Sequence, residues 1–378
     1  MFDHGFTAPR VWRASLGFVQ RLWERSWGTF EFNYARGVSQ YGFSDLNLVR
    51  QPGFTLPEEA NRPVWVSPDS IVPETGALSS SSSRIHPDFG KALAIRSDLR
   101  SDTKQLTLSF AGAAARGAVV RLSYTLTWSR DQSSFACCVA SQGFSSPTTG
   151  SDPNALEWGR SDLERRHAFL GTVAYPLSSG LEIGVIAGLL SGIPYTPSVD
   201  ADINGDGSRN DRAFIFDPRT TTDTTVARSM AALLASAPSG VRACLERQLG
   251  RIAGRNSCTG PWQPSFDLQL NWRPQWFGSE RRLTLSILTV NLLGGIDAWM
   301  HGADQLRGWG YASAPDRVLL YVQGFDRATL SYRYGVNGRF GSATTTGNGV
   351  IVPFQVGFQG RVAIGPRRPH RPRADRVP

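Results

Sequence analysis

Methionine and charged side chains are scarce in this sequence. Only 3 Met and 19% charged residues occur among 378, which argues against a helical soluble enzyme, since such folds draw heavily on Met, Glu and Lys. No apolar run reaches the ~18 residues that a membrane-crossing helix needs. The best run, Ile183 to Leu190, is far shorter. The opening MFDHGFTAPRVWR has no basic segment leading into an apolar one, so it does not read as a secretory signal. G-x-S-x-G, H-E-x-x-H and G-x-x-x-x-G-K-[ST] are all missing, and no catalytic residue and no cofactor-binding residue is expected. The 5 histidines are dispersed; His167, beside Arg165 and Arg166, falls at a strand start, where a rim position is expected.

Cysteine is also sparse. The 4 Cys form a vicinal pair, Cys137 and Cys138, and a separated pair, Cys244 and Cys258. No C-x-x-C or Cys/His spacing is present, which removes zinc and thioredoxin-like readings. A disulfide between Cys244 and Cys258 would close a short loop and imply an oxidising compartment; two free buried thiols are the alternative.

What the chain does have is 39 Gly, 20 Phe, 11 Trp and 9 Tyr, the composition of a strand-rich, turn-rich protein with aromatic residues to spare for membrane-interface girdles. The net charge of +9 comes from scattered arginines and one dense cluster after Pro366. We read 367–378 as a disordered basic tail, and no nucleic-acid partner is expected.

Period-two alternation recurs along the chain. Trp12, Ala14, Leu16 and Phe18 pair with Phe30, Phe32 and Tyr34. Leu106, Leu108 and Phe110 precede Leu122, Tyr124, Leu126 and Trp128. Phe169, Val173 and Tyr175 precede Ile183, Val185 and Leu189. Phe266, Leu268, Leu270 and Trp272 precede Leu283, Leu285 and Ile287. A fifth hairpin is expected from Val318–Val322 and Leu330–Val336, and a last strand through Phe354, Val356, Phe358, Val362 and Ile364. Connections alternate short and long, with long loops near 36–103, 130–166, 191–264, 293–316 and 337–352. The pattern predicts an all-β fold, an antiparallel transmembrane β-barrel over 1–366 with long extracellular loops. About eleven strands result, an odd number where bacterial barrels close on an even one, so the chain reads as a truncated part of a larger barrel.

One stretch stands apart, SGIPYTPSVDADINGDGSRNDRAF at 191–214. Asp202, Asn204 and Asp206 place oxygen side chains at positions 1, 3 and 5 of a loop, with Gly207 next, as in the front half of a calcium loop. Asp211 supplies a further acid, but position 12, where a bidentate carboxylate is expected, falls on Ala213. A polar turn built from Asn-Gly and Asp-Gly without metal is the other reading. Downstream, Val241, Leu245 and Leu249 recur at helical spacing, which predicts a short helix near Cys244.

Three passages carry a resemblance. SGIPYTP with DINGDGSRNDRAF, VRACLERQLGRIAGRNSCTGPW leading into FDLQLNW, and VQGFDRATLSYRYGVNGRFG with PFQVGFQGRV look like the C-terminal barrel of TonB-dependent outer-membrane receptors. The likeness is greatest to the Oar-like group, which carries a carboxypeptidase-regulatory-like N-terminal domain. It implies the second half of a barrel of about 22 strands in the outer membrane of a Gram-negative-type bacterium, embedded in outer-membrane lipid. It implies uptake of a scarce small solute, driven by the TonB-ExbB-ExbD system through a plug domain. The signal, TonB box and plug of such receptors are not seen here, and the Arg- and Pro-rich extension past Ile364 departs from their usual aromatic ending. A soluble or surface-attached calcium-binding β-protein, adhesin-like, is the alternative function.

Overall fold

The computed structural model describes residues 1–113, 117–132, 150–275, 282–302, 309–310, 314–344 and 354–364. In chain order its main elements are β1 (Arg10–Trp23), β2 (Ser26–Asp45), β3 (Leu93–Ala113), β4 (Val119–Asp131), β5 (His167–Ser178), β6 (Leu181–Leu190) and the short β7 (Ser198–Val199). Then come α1 (Thr224–Ser236), α2 (Ser239–Glu246), β8 (Gln263–Trp272), β9 (Leu283–Val290), α3 (Leu292–His301), β10 (Val318–Asp326), β11 (Ser331–Val336) and β12 (Gln355–Val362). No described helix is long and apolar enough to cross a membrane.

Nine long strands, β1 to β6 with β8, β9 and β12, pair in sequence order into one sheet, joined by the two-residue Gly159–Arg160 beside β4. Every long-strand pairing is antiparallel. Register turns the alternation into two chemically distinct faces. One rank runs Phe18, Phe30, Leu108, Tyr124, Phe169, Leu189, and the next Leu16, Phe32, Leu106, Leu126. Between them, and pointing the other way, lie Ser15, Asn33, Gln105, Thr127 and Glu31, Thr107, Thr125. A side chain's face is set by parity alone in a strand, so one in-register pairing sorts every residue.

Connections between these strands sort by end of the sheet. Short turns join β1 to β2, β3 to β4, β5 to β6 and β8 to β9; long segments join β2 to β3, β4 to β5, β6 to β8 and β9 to β12. The barrel strands also run further into the loops than alternation indicates, so the first long connection is 46–92 rather than 36–103.

The fifth expected hairpin is not part of this sheet. β10 pairs with β11 on one side and with β7 on the other, in a separate three-stranded sheet. Consecutive residues Leu319 and Leu320 are both 0% exposed, and Phe325, Tyr332 and Tyr334 are buried. A spanning strand needs lipid on one face only, whereas this hairpin is covered on both, so protein packing replaces lipid. The two loops expected at 293–316 and 337–352 therefore belong to one long connection between β9 and β12, and among the described residues the sheet has nine long strands. Cys137, Cys138 and the tail 367–378 lie outside the described residues.

Beyond the sheet, segments 46–92, 191–262 and 314–344 fold onto one another around a common core. Leu56, Val64 and Ile71 come from the first segment; Phe214, Ile215, Met230 and Leu245 from the second; Leu320, Phe325 and Phe340 from the third. The expected short helix is α2, which buries Val241 and Leu245. The helix before it, α1, buries Val226, Met230 and Leu233 and is capped by Asp223, whose side chain accepts from the amides of Thr225 and Val226; this Asp-x-x N-terminus was readable in the sequence.

Candidate functional site

Two surfaces have the chemistry to meet a solute: the polar face of the sheet and the loop body at its long-loop end. On the sheet, hydrogen bonds link neighbouring strands along the polar ranks. Ser15 Oγ donates to Asn33 Oδ1 at 2.7 Å, and Asn33 Nδ2 to Glu31 Oε1 at 2.8 Å. Thr107 and Thr125 hydroxyls stand 3.2 Å apart, and Thr103 and Ser129 hydroxyls 2.8 Å. Further along, Asn271 Nδ2 donates to Glu182 Oε1 at 3.1 Å and Ser286 Oγ to Asn271 Oδ1 at 2.7 Å. These short hydroxyl and amide side chains suit a water-filled interior. His167 stands on the apolar face at the long-loop end of β5, its Nδ1 2.8 Å from the Tyr124 hydroxyl and its ring stacked near Trp262, a rim position.

The loop body is held by buried charge that the sequence did not announce. Arg62 lies 2% exposed. It donates from Nε to Glu59 Oε2 at 2.8 Å and from Nη2 to the Arg212 carbonyl at 2.6 Å, and stands 3.8 Å from Asp211. Tyr334, from β11, donates its hydroxyl to the other Glu59 oxygen at 2.5 Å. The Glu59–Arg62 pair thus joins all three segments, Tyr334 through the carboxylate and Arg212 and Asp211 through the guanidinium. Burial first, then the adjacent Glu59 charge, holds the Tyr334 hydroxyl well above its usual range. Arg84 pairs with Asp45 and donates to the Asp206 carbonyl, and Arg255 pairs with Asp131 at the end of β4. Single charged residues in loops are too common to be singled out by spacing; only the fold brings these together.

Cys244 and Cys258 form a disulfide, 5.5 Å between Cα atoms, that ties α2 to a short strand opposite Tyr195.

The 202–211 turn folds back on itself. Asp202 accepts from the amides of Gly205 and Gly207, at 2.7 Å each; Asn204 Oδ1 from Asp206 at 2.8 Å; and Asp206 Oδ1 from Ser208 at 2.6 Å. Asp211 accepts from Ile203 at 2.9 Å. Gly205 has φ +77°, and a Cβ there would stand 2.6 Å from Val66 Cγ1, so only glycine fits the position. Burial, then the charge of Asp206, pushes the Asp202 carboxyl up to about 6; Asp206 and Asp211 are also raised by burial. As placed, Asp202, Asp206 and Asp211 do not converge: among the described residues no three His, Cys, Asp or Glu are arranged to share a metal ion.

A sequential antiparallel sheet with one apolar and one polar face, and its long loops gathered at one end, is the wall of an outer-membrane β-barrel. The family model described as "outer membrane beta barrel domain" matches residues 1–293, and the chain belongs to that family. Its place is the outer membrane, which sets aside the soluble alternative. A search of curated proteins finds no match. Among solved structures, the chain is similar to the outer membrane transporter YddB from Escherichia coli, at 11% identity and TM-score 0.40, over 78% of this chain and 30% of that one. It is similar to the ferric-catecholate import receptor Fiu from E. coli K12, at 11% identity and TM-score 0.38, over 96% and 30%. The FrpB iron transporter from Neisseria meningitidis (F3-3 variant) matches at 10% identity and TM-score 0.39, over 95% and 32%. The chain spans about a third of the length of each.

Proposed function

We propose that these residues form the C-terminal part of a TonB-dependent outer-membrane receptor of the Oar-like group, which captures a scarce small solute at its external loops and passes it through the barrel. The observation that carries the reading is the open sheet. Among the described residues β1 and β12 each pair on one edge only, and every residue of both is exposed. Unsatisfied backbone groups cost several kcal/mol each in hydrocarbon, so both edges need partners.

Parity narrows what those partners are. With nine antiparallel strands, β1 and β12 run the same way. They would meet each other as a parallel pair, and so would the edges of a second copy turned about the membrane normal. Only an odd number of further strands gives two antiparallel seams. A barrel of about 22 strands leaves about 13 to come from polypeptide outside this sequence, together with the plug through which TonB-ExbB-ExbD would act.

The test joins the chain in frame to the coding sequence upstream of Met1 and measures solute uptake with and without a protonophore, beside mobility on gels before and after heating. Uptake that stops with the protonophore, and a heat-modifiable band only for the joined protein, are expected. A heat-modifiable closed barrel from residues 1–378 alone overturns the reading.

A further inference from the structure

We propose that the turn at 202–208 is a calcium site, with Asp202, Asn204 and Asp206 as its side-chain ligands and Asp211 bracing the turn from behind. The proposal stands apart from the uptake reading and needs no solute.

Spacing alone would not carry it, since Asn-Gly and Asp-Gly turns are common without metal. Two further observations do. First, Asp206 Oδ2 is buried with no hydrogen-bond partner, in a side chain 2% exposed. A buried carboxylate oxygen left unpaired is costly. Asp206 commits its other oxygen to the backbone amide of Ser208, so its orientation is fixed rather than free. The free Asp206 oxygen sits within electrostatic reach of Asp202, whose own two oxygens hold the turn closed.

Second, two of the three cations facing the turn are engaged by other carboxylates. Asp202, Asp206 and Asp211 lie with Glu59 and Asp45 on the acidic side; Arg62, Arg84 and Lys91 face them. Arg62 is already divided between Glu59 and Asp211, and Arg84 is engaged by Asp45. Lys91 stands 4.0 Å from Asp206 and hydrogen-bonds the Ser208 hydroxyl. Lys91 is thus the one cation not committed to another carboxylate that offsets Asp202 and Asp206, and a divalent ion would supply further positive charge there.

The donors are all hard oxygens on a loop turned by Gly205 and Gly207, both at positive φ. Calcium accepts six to eight such ligands in irregular geometry, whereas magnesium demands a near-ideal octahedron and keeps its water. Since three carboxylates do not converge as placed, the site uses two carboxylates and one amide oxygen, completed by backbone carbonyl and water. Asp211 stays behind, capping the amide of Ile203. Bound calcium would stiffen a crossing of segments, because the Asn204 carbonyl already accepts from Trp65 N–H at 2.7 Å and the Asp206 carbonyl from Arg84 at 2.6 Å.

The experiment uses the joined protein in detergent micelles with calcium alone, and magnesium as the comparison. Calorimetric titration and the midpoint of thermal unfolding are read together. One saturable calcium per chain, a higher midpoint with calcium than with chelator, and little response to magnesium are expected. Asp206→Asn should weaken calcium at least about tenfold. Asn204→Asp, which adds a carboxylate without changing shape, and Lys91→Met, which removes the competing ammonium, should each tighten it. Asp69→Asn, an exposed acid outside the turn, should change nothing. If the wild-type chain shows no saturable binding, or if both Asp206→Asn and Asn204→Asp bind as the wild type does, the ion is held elsewhere or not at all and the proposal fails.

Discussion

Arg62 shows how much a single side chain can hold together. Its guanidinium bonds Glu59 and the Arg212 carbonyl and faces Asp211. Arg62→Ala would leave two carboxylates buried without a counter-charge, and breaking a buried pair from one side costs about 3–5 kcal/mol. Thermal unfolding of the loop body should therefore fall sharply while the sheet's strand signal persists. Asp202 gives a prediction of opposite character. Its carboxyl, pushed up to about 6 from an ordinary 3.8, favours the neutral form in the fold. The stability it contributes is full below the unfolded value and is lost as pH rises through about 6. Asp206 and Asp211 shift in the same direction, while Lys91, Arg84 and Arg62 partly offset them. In metal-free protein, hydrogen-exchange protection at 203–207, corrected for intrinsic rate, should thus decline between about pH 4 and pH 6. A rise over that interval would contradict the assignment.

At the scale of elements, the disulfide and the strand faces make separable claims. Cys244 and Cys258 are 14 apart in sequence, and closing a loop of that size is worth about 3 kcal/mol. The double variant Cys244→Ser/Cys258→Ser should bring earlier proteolytic cleavage around α2, with the barrel strands unaffected. On the sheet, Phe32 ranks with Leu16, Leu106 and Leu126, and its neighbour Asn33 with Ser15 and Gln105. Phe32→Arg would put charge into lipid at about 2–4 kcal/mol near mid-membrane, whereas Asn33→Ala forfeits hydrogen bonds worth about 1 kcal/mol each. Folding yield into lipid vesicles should separate the two. Alternation was legible for these strands because one face had to be apolar. It misled at β10 and β11, where Tyr332 and Tyr334 alternate with Arg333 just as in a barrel strand, yet pack against Phe325 and Phe216 inside the loop body. Period two reports that one face is covered, not whether lipid or protein covers it.

For the whole molecule, sorted connections define an orientation. The residues before β1 lie at the long-loop end, where the Met1 amine donates to the Leu93 carbonyl at 3.0 Å, and long loops of outer-membrane barrels face outward. A membrane-impermeant maleimide added to intact cells expressing the joined protein should therefore label Ser81→Cys above the parent background and leave Ser179→Cys unlabelled until the envelope is opened. The reverse pattern would invert the barrel. The open edges at β1 and β12 belong to this scale too, since no local feature of either strand reveals that, among the described residues, it is paired on one side; only the pairing order does.

The sequence by itself determined the strand faces, the strong asymmetry between short and long connections, the amphipathic α2 and the acidic turn, because each follows from periodicity, glycine placement or residue chemistry over a few neighbours. Tertiary structure alone decided that the last hairpin leaves the barrel, that three distant loops share one core, that Glu59, Arg62 and Tyr334 meet, and that Asp206 and Asp211 are buried. Those outcomes depend on contacts between residues more than a hundred positions apart, and local pattern carries no record of which distant surface will cover a given face.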